Sequence, residues 1–330
     1  LREGGNFAVG VVGVGSLGFH HARILGEILG PDRVRVHDSN QTRGEQVARE
    51  LGVRHLSDRD ELFREVRAAV IAVPTIDHAE VAVAALERGV HLLIEKPLAH
   101  TLEEADRILE RAAIQGVLVA TGHVERFNAA LRACEPYLGV PRFIESHRLA
   151  PFGPRGLDVA VVLDLMIHDI DLILGLAKRE VASVEAVGIP VLTPSVDIAN
   201  ARITFEGGAV ANITASRVSR ERLRKIRVFQ ESGYLSLDLG NGTGEFLRLR
   251  EGAVLASPAA LLSGLEGLVE RVELKGDGKE PLRAELESFL SALSGETDLV
   301  VSGMDGRRAL EVALKIVARI ESNVADPRPT

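Results

Sequence analysis

The chain predicts an α/β fold: a doubly wound parallel sheet at the N-terminus, then an α+β domain built on a largely antiparallel open sheet. Three observations carry this. Up to residue 122, short and almost wholly apolar strand-like runs alternate with helical stretches of about ten residues, the pattern of a parallel sheet covered on both faces. A glycine-rich G-x-G-x-x-G follows the first run, where a dinucleotide-binding Rossmann unit would carry it. Beyond 123 the rhythm changes to closely spaced strand-like stretches separated by glycine pairs or polar turns, which suits antiparallel or mixed pairing.

Taken in order, FAVGVV at 7–12 is a continuous apolar run and the first strand, and a helix is expected over 19–30. Strands follow at 34–37, at 68–73 (AAVIAV), at 91–94 and at 117–121. Helices fill the intervals at 45–51, 80–88 and 102–115, the second stopping at Gly89, the glycine that typically ends a helix. In the second half a strand at 142–149 precedes a long apolar helix at 159–176. Strands are then expected at 181–189, 198–205, 209–216, 225–230, 234–239 and 245–250, and two helices at 282–293 and 305–324 close the chain. The domains expected are residues 1–122 for the dinucleotide and 123–330 for substrate and oligomerisation, with the C-terminal helices free to pack back on the first. The opening LREGGN reads as a short flexible lead, and 326–330 should fray.

Composition narrows the function. With 46% hydrophobic and 26% charged residues there is apolar material for two cores. A net charge of -8 argues against nucleic acid as a partner held by a general basic surface. No apolar run approaches the roughly 18 residues that span a bilayer, so no membrane partner is expected. No secretory leader is evident, so a cytoplasmic location is expected. The single cysteine, Cys134, sits in an apolar context and reads as a buried thiol rather than a nucleophile.

Gly13, Gly15 and Gly18 occupy the fingerprint positions, with Ser16 and Leu17 completing the loop at the helix start. The first glycine permits the turn, the second lets backbone approach a pyrophosphate, and the third lets helix and strand pack closely. Asp38, 20 residues after Gly18, ends the second strand, where a carboxylate accepts from ribose hydroxyls. Its charge would repel a 2′-phosphate, so NAD is expected over NADP, although Arg35 and Arg43 stand close by. Ligands of such sheets bind beyond the carboxyl ends of the strands. That rule brings in Pro74, Thr75 and His78 after the third apolar run, and Glu95 and Lys96 after the fourth.

On the 159–176 helix, Asp164, His168 and Asp171 fall on one narrow stripe at 100° per residue. Ionisable groups on an apolar helix are costly unless they pair or line a cavity, and a histidine with an aspartate one turn earlier suits a general base. The alternative is a self-satisfied buried cluster. No metal is implied. Between 217 and 227 stand Arg217, Arg220, Arg222, Arg224, Lys225 and Arg227 against one acid, Glu221. They form either a solvated face or the grip on a phosphorylated substrate, to which Arg148 and Arg155 could add.

Together GVGSLG at 13–18, AVPTIDH at 72–78, EKP at 95–97, GHVERFN at 122–128, and Asp164 with His168 resemble the Gfo/Idh/MocA oxidoreductases over nearly the whole chain. The resemblance implies a catalytic set of Lys96, Asp164 and His168, a cofactor contact by Arg126 or Asn128, and assembly as a homo-dimer or homo-tetramer. GHVERFN departs from the commoner versions of its segment. Within the family, GHVERFN, ESHRLAPFGPRG at 145–156, VVLDLMIHDIDLIL at 161–174 and ANITASRVSRE at 211–221 are similar to bacterial UDP-N-acetylglucosamine 3-dehydrogenases. That implies NAD-dependent oxidation of a sugar 3-hydroxyl to a ketone, with a separate aminotransferase acting next. Dehydrogenation of an inositol or free sugar, and a non-catalytic dinucleotide sensor, are the competing readings.

Overall fold

The computed structural model describes residues 7–153, 159–250 and 268–325. The chain folds as two compact units, one of Leu1–Arg126 with Glu280–Glu311, the other of Phe127–Lys279 with Val312–Thr330.

The first unit is the doubly wound sheet. Its strands are β1 (Val9–Val12), β2 (Val34–His37), β3 (Arg54–His55), β4 (Ala68–Ile71), β5 (His91–Glu95) and β6 (Val119–Gly122), in the order β3-β2-β1-β4-β5-β6 and all parallel. Every residue of β1 and β4 is buried, as a sheet covered on both faces demands. The crossovers carry α1 (Ser16–Leu29), α2 (Gln41–Leu51), α3 (Arg59–Glu65), α4 (His78–Leu86) and α5 (Leu102–Gln115). Their ends are chemically marked. Asn40, Asp58 and Thr101 cap α2, α3 and α5 by accepting backbone N–H groups, and Gly52 and Gly116 end α2 and α5 in the left-handed conformation. Two elements escaped the sequence reading, the two-residue β3 and the single-face helix α3, both too short for a periodic signal.

The second unit opens with α6 (Ala129–Cys134), β7 (Pro141–Leu149), a π-helical turn at Val162–Met166 and α7 (Ile167–Ala177). Strands β8 (Val181–Ile189), β9 (Ile198–Phe205), β10 (Val210–Ser216), β11 (Leu223–Gln230), β12 (Gly233–Asp238), β13 (Thr243–Leu249) and β14 (Val269–Lys275) follow. With β7 they form an eight-stranded sheet, β14-β13-β12-β11-β7-β10-β9-β8, antiparallel except where β7 and β10 run parallel. Strand β14, with alternate charges in VERVELK, was not anticipated. The helix α8 (Pro281–Leu293) returns to the first unit, where Leu282, Leu286, Phe289 and Leu293 join the core formed by Val9, Ile24 and Leu25. Of α9 (Gly303–Ala325), the turns to Glu311 belong to the first unit and the rest to the second. No helix among the described residues is long and apolar enough to cross a membrane.

Candidate active site

In the first unit the chain reverses direction across the sheet between β1 and β4, and a crevice opens beyond their carboxyl ends. A cavity of about 620 Å³ lies there, lined by Gly13 and Gly15 after β1, Asp38 after β2, and Val73 and Pro74 after β4. The three fingerprint glycines do different work. Gly13 has φ +84° and its N–H donates to the His37 carbonyl at 2.8 Å, while a Cβ there would lie 2.7 Å from the Ala72 oxygen. A Cβ at Gly18 would fall 1.8 Å from the Gly13 oxygen, so only glycine lets α1 pack against the turn. At Gly15 a Cβ would meet no protein atom within 4 Å. It faces open space at the N-terminus of α1, with Ser16 and Leu17 exposed beside it. A helix start with unsubstituted backbone open to a cavity suits a pyrophosphate.

Asp38 lines that cavity and braces the loop. Its Oδ2 accepts the Val14 N–H at 2.8 Å and its Oδ1 the Asn40 N–H at 2.9 Å. A carboxylate oxygen has capacity for a second donor, so both can still accept a ribose hydroxyl. The arginines that left NADP open are committed elsewhere. Arg35 binds Glu65 at 3.0 Å, and Arg43 donates to the Val14 carbonyl at 2.9 Å. A pair the sequence did not flag, Arg59 and Glu80 at 3.1 Å, also lines the cavity.

His78 was expected at the cofactor and is placed otherwise. It is 1% exposed, with Nδ1 3.0 Å from the Pro97 carbonyl and Nε2 3.0 Å from the Val73 carbonyl. Burial holds its pKa below the usual histidine value, and a neutral ring with one N–H can donate to only one of the two carbonyls. It is packed between the loop after β4 and the loop after β5 and bonds one of them. Thr75 is half-buried and Pro74 exposed. Glu95 is buried, Lys96 half-buried, and the Lys96–Pro97 peptide is cis. Arg126 is half-buried, whereas Asn128 is buried, capping α6 through the Ala130 N–H and donating to the Leu239 carbonyl at 2.9 Å.

In the second unit Asp164 lies in the π turn and His168 in the first turn of α7. The Asp164 side chain is 34% exposed and His168 is half-buried. Asp171, expected on the same stripe, is instead 1% exposed, as is Asp169. The π turn shifts the phase of α7 relative to Asp164, while His168 and Asp171, both within α7, keep α-helical spacing between them.

Two arginines expected to hold an anionic substrate are internal. Arg148, on β7, is 3% exposed and binds Asp169 in bidentate fashion at 2.7 and 3.1 Å. Arg217, just after β10, is 4% exposed. It donates to the Val159 carbonyl at 2.5 Å and stands 3.9 Å from Asp164 and 4.0 Å from Asp197. Asp197, missed by the sequence reading, is fully buried. Its Oδ2 accepts the N–H groups of Val191, Leu192 and Thr193, and its Oδ1 the Thr193 hydroxyl. Against the cost of burial, these bonds pull its pKa down to about 2. Of the rest of the basic run, Arg220, Arg222, Arg224 and Lys225 are exposed, and Arg227 pairs with Glu145 at 2.5 Å. Arg155 lies outside the described residues. Cys134 is buried and its thiol is pushed up to about 12 by desolvation.

Residues 7–123 match a family model described as the GFO_IDH_MocA oxidoreductase family, NAD-binding Rossmann fold, and residues 135–236 match the GFO/IDH/MocA C-terminal domain. The chain is 39% identical over 314 residues to a UDP-N-acetylglucosamine 3-dehydrogenase of Acidithiobacillus ferrooxidans, spanning 95% of this chain and 97% of that enzyme. A solved structure of the Acidithiobacillus ferrooxidans enzyme superposes with a TM-score of 0.88 at 37% identity, over 97% of this chain and 99% of the other. A scyllo-inositol 2-dehydrogenase (NAD(+)) of Bacillus subtilis is 31% identical over 63% of this chain and 67% of its own length.

Proposed function

The chain belongs to the GFO/IDH/MocA family of NAD-binding oxidoreductases, and on that footing we propose that it oxidises the 3-hydroxyl of UDP-N-acetylglucosamine, or of a closely related nucleotide sugar, to a ketone. The observation that carries the substrate is similarity to the Acidithiobacillus ferrooxidans enzyme along almost its entire length. The groups assigned to the reaction are Lys96, Asp164 and His168. Asp164 and His168 are the partly open ionisable residues on a segment whose neighbours Val162, Met166, Ile167 and Ile170 are buried.

Bound NAD supplies the hydride acceptor. His168 takes the hydroxyl proton, and Asp164 stabilises the imidazolium that results. The two electrons of the C–H bond would go with the hydride to the nicotinamide, leaving a ketone, and the hydroxyl proton is held on His168. The Lys96 ammonium donates to the oxygen as negative charge develops on it. Arg217 serves by fixing Asp164 from inside the fold. The exposed Arg220 and Arg222, a few residues further on, take over the role of meeting the diphosphate. Assembly as a homo-oligomer, a cytoplasmic setting and a downstream aminotransferase that consumes the ketone belong to the same proposal.

The test is NADH absorbance at 340 nm with NAD and a panel of UDP-sugars, inositols and free hexoses, with a ketone trap to draw an unfavourable equilibrium forward. Turnover confined to UDP-N-acetylglucosamine among these supports the reading; turnover only with an inositol would replace it with the activity named for the Bacillus relative. With the accepted substrate, His168→Ala should lower kcat by about 10² or more while NAD still binds.

A further inference from the structure

Glu95, expected beside the cofactor, has both carboxyl oxygens engaged within the fold, and its buried partner His21 was given no role above. His21, on α1 three residues after the last fingerprint glycine, is fully buried, and its Nε2 lies 2.7 Å from Oε1 of Glu95, the last residue of β5. Glu95 is 7% exposed, and its Oε2 accepts the backbone N–H of Lys96 at 3.2 Å. Gly122, opposite Glu95 on β6, leaves the carboxyl its space: a Cβ there would come within 3.0 Å of the Glu95 carboxyl carbon. Nδ1 of His21 has no hydrogen-bond partner among the described residues.

Burying a carboxylate and an imidazole costs free energy that two well-packed apolar side chains would not incur. The pair does something an apolar pair cannot, since it supplies an acceptor to the Lys96 N–H where the strand ends. The next residue is Pro97, which has no N–H, and its carbonyl faces Nδ1 of His78 at 3.0 Å. The Lys96 backbone is therefore held at the strand end by Glu95, itself anchored through His21.

We propose that His21 and Glu95 are positioning residues for Lys96, tying the helix that starts at the dinucleotide loop to the backbone that presents the ammonium. The proposal rests on the role assigned to Lys96 above. It predicts a characteristic split, because a lysine displaced by a fraction of an ångström loses rate before it loses cofactor affinity.

The experiment measures steady-state kcat, NAD Kd by calorimetry and the melting midpoint for single and double variants. Glu95→Ala should lower kcat about 30-fold with NAD Kd within about threefold of wild type. Glu95→Gln should recover most of that loss: the amide oxygen can still accept from Lys96, while its NH₂ donates to Nε2 of a His21 ring protonated on Nδ1. In a Lys96→Met background Glu95→Ala should add less than about twofold, since residues that act through one another are not additive. Full additivity, or an unchanged kcat in Glu95→Ala, would overturn the proposal. Wild-type kcat in Lys96→Met alone would remove the lysine's role, and the proposal with it, in a variant that leaves the pair intact. Should Glu95→Ala fail to fold, Gly122→Ala keeps every polar group and presses first on the Glu95 carboxyl. A kcat unchanged there, with NAD Kd also unchanged, would overturn the proposal equally.

Discussion

The three glycines of the dinucleotide loop should separate cleanly when each receives one methyl group. At Gly18 the added carbon would sit 1.8 Å from the Gly13 oxygen, against a floor near 3.0 Å. Relief requires a shift of about 1.2 Å by a helix whose Ala22, Ile24 and Leu25 are fully buried, and such overpacking costs about 3 kcal/mol. At Gly15 the methyl meets nothing within 4 Å, so the stability cost should stay under about 1 kcal/mol, the scale of a helix N-cap change. The same methyl projects where the cofactor pyrophosphate must approach. Losing one charge-assisted hydrogen bond there, about 2 kcal/mol, raises NAD Kd about 30-fold. Scanning fluorimetry reads both effects. At a concentration of 100 times its Kd, NAD stabilises the wild type by about 2.7 kcal/mol, whereas a 30-fold weaker site gains about 0.9 kcal/mol. Gly15→Ala should thus melt like wild type alone and lose most of its NAD-induced shift, while Gly18→Ala should melt early in both conditions. Normal NAD binding by Gly15→Ala would refute the placement of the pyrophosphate in this cavity.

Other consequences arise from the buried charges. Asp197→Ala leaves three backbone N–H groups without their acceptor, and should cost about 3 kcal/mol in a urea titration at pH 7. Because the native pKa of Asp197 lies near 2, below the usual carboxylate value, its contribution is complete above about pH 4 and drains away as pH falls through 2. His78 works in the same direction. Its native pKa is depressed, so below the ordinary histidine value of 6.5 the unfolded chain binds a proton that the folded chain refuses. Stability should fall from there down to the native pKa, and less steeply in His78→Gln. Arg217→Met, which removes the cation between Asp164 and Asp197, should lower kcat about tenfold with sugar KM nearly unchanged; a change confined to KM would return Arg217 to the substrate.

How much of this the sequence disclosed depends on what kind of signal each feature leaves. The parallel sheet was legible because wholly apolar runs such as 68–71 and 92–94 have no other home, and the glycine loop because steric necessity at Gly13 and Gly18 leaves only one residue type. The Arg148–Asp169 and Arg217–Asp197 pairings were not legible. A buried ion pair joins residues 21 and 20 positions apart on different elements, and composition alone cannot tell an arginine aimed at a substrate from one aimed at the core. The alternation in β11 held the hint: Ile226 and Val228 turn inward while Lys225 and Arg227 turn away, so a dense basic run is divided between faces rather than gathered into one pocket. His21 was equally silent, since a histidine on an amphipathic helix announces neither its burial nor the carboxylate 74 residues away.

The helix that bears the proposed base differs from the sequence expectation in two ways, a local change of turn and the burial of Asp171. Uniform periodicity put Asp164, His168 and Asp171 on one stripe, whereas the chain inserts a π turn at Val162–Met166. A π turn trades good hydrogen-bond geometry for a local change of phase, and such turns recur at functional sites. Asp164 and His168 are partly open, and Asp171, one turn beyond His168 on α7, is buried. The three-residue stripe therefore reduces to two groups in a position to act, backed by an arginine that approaches Asp164 from within. This division of labour is what an acid–base pair needs, one face reaching the reactants and the other locked by partners that never touch them.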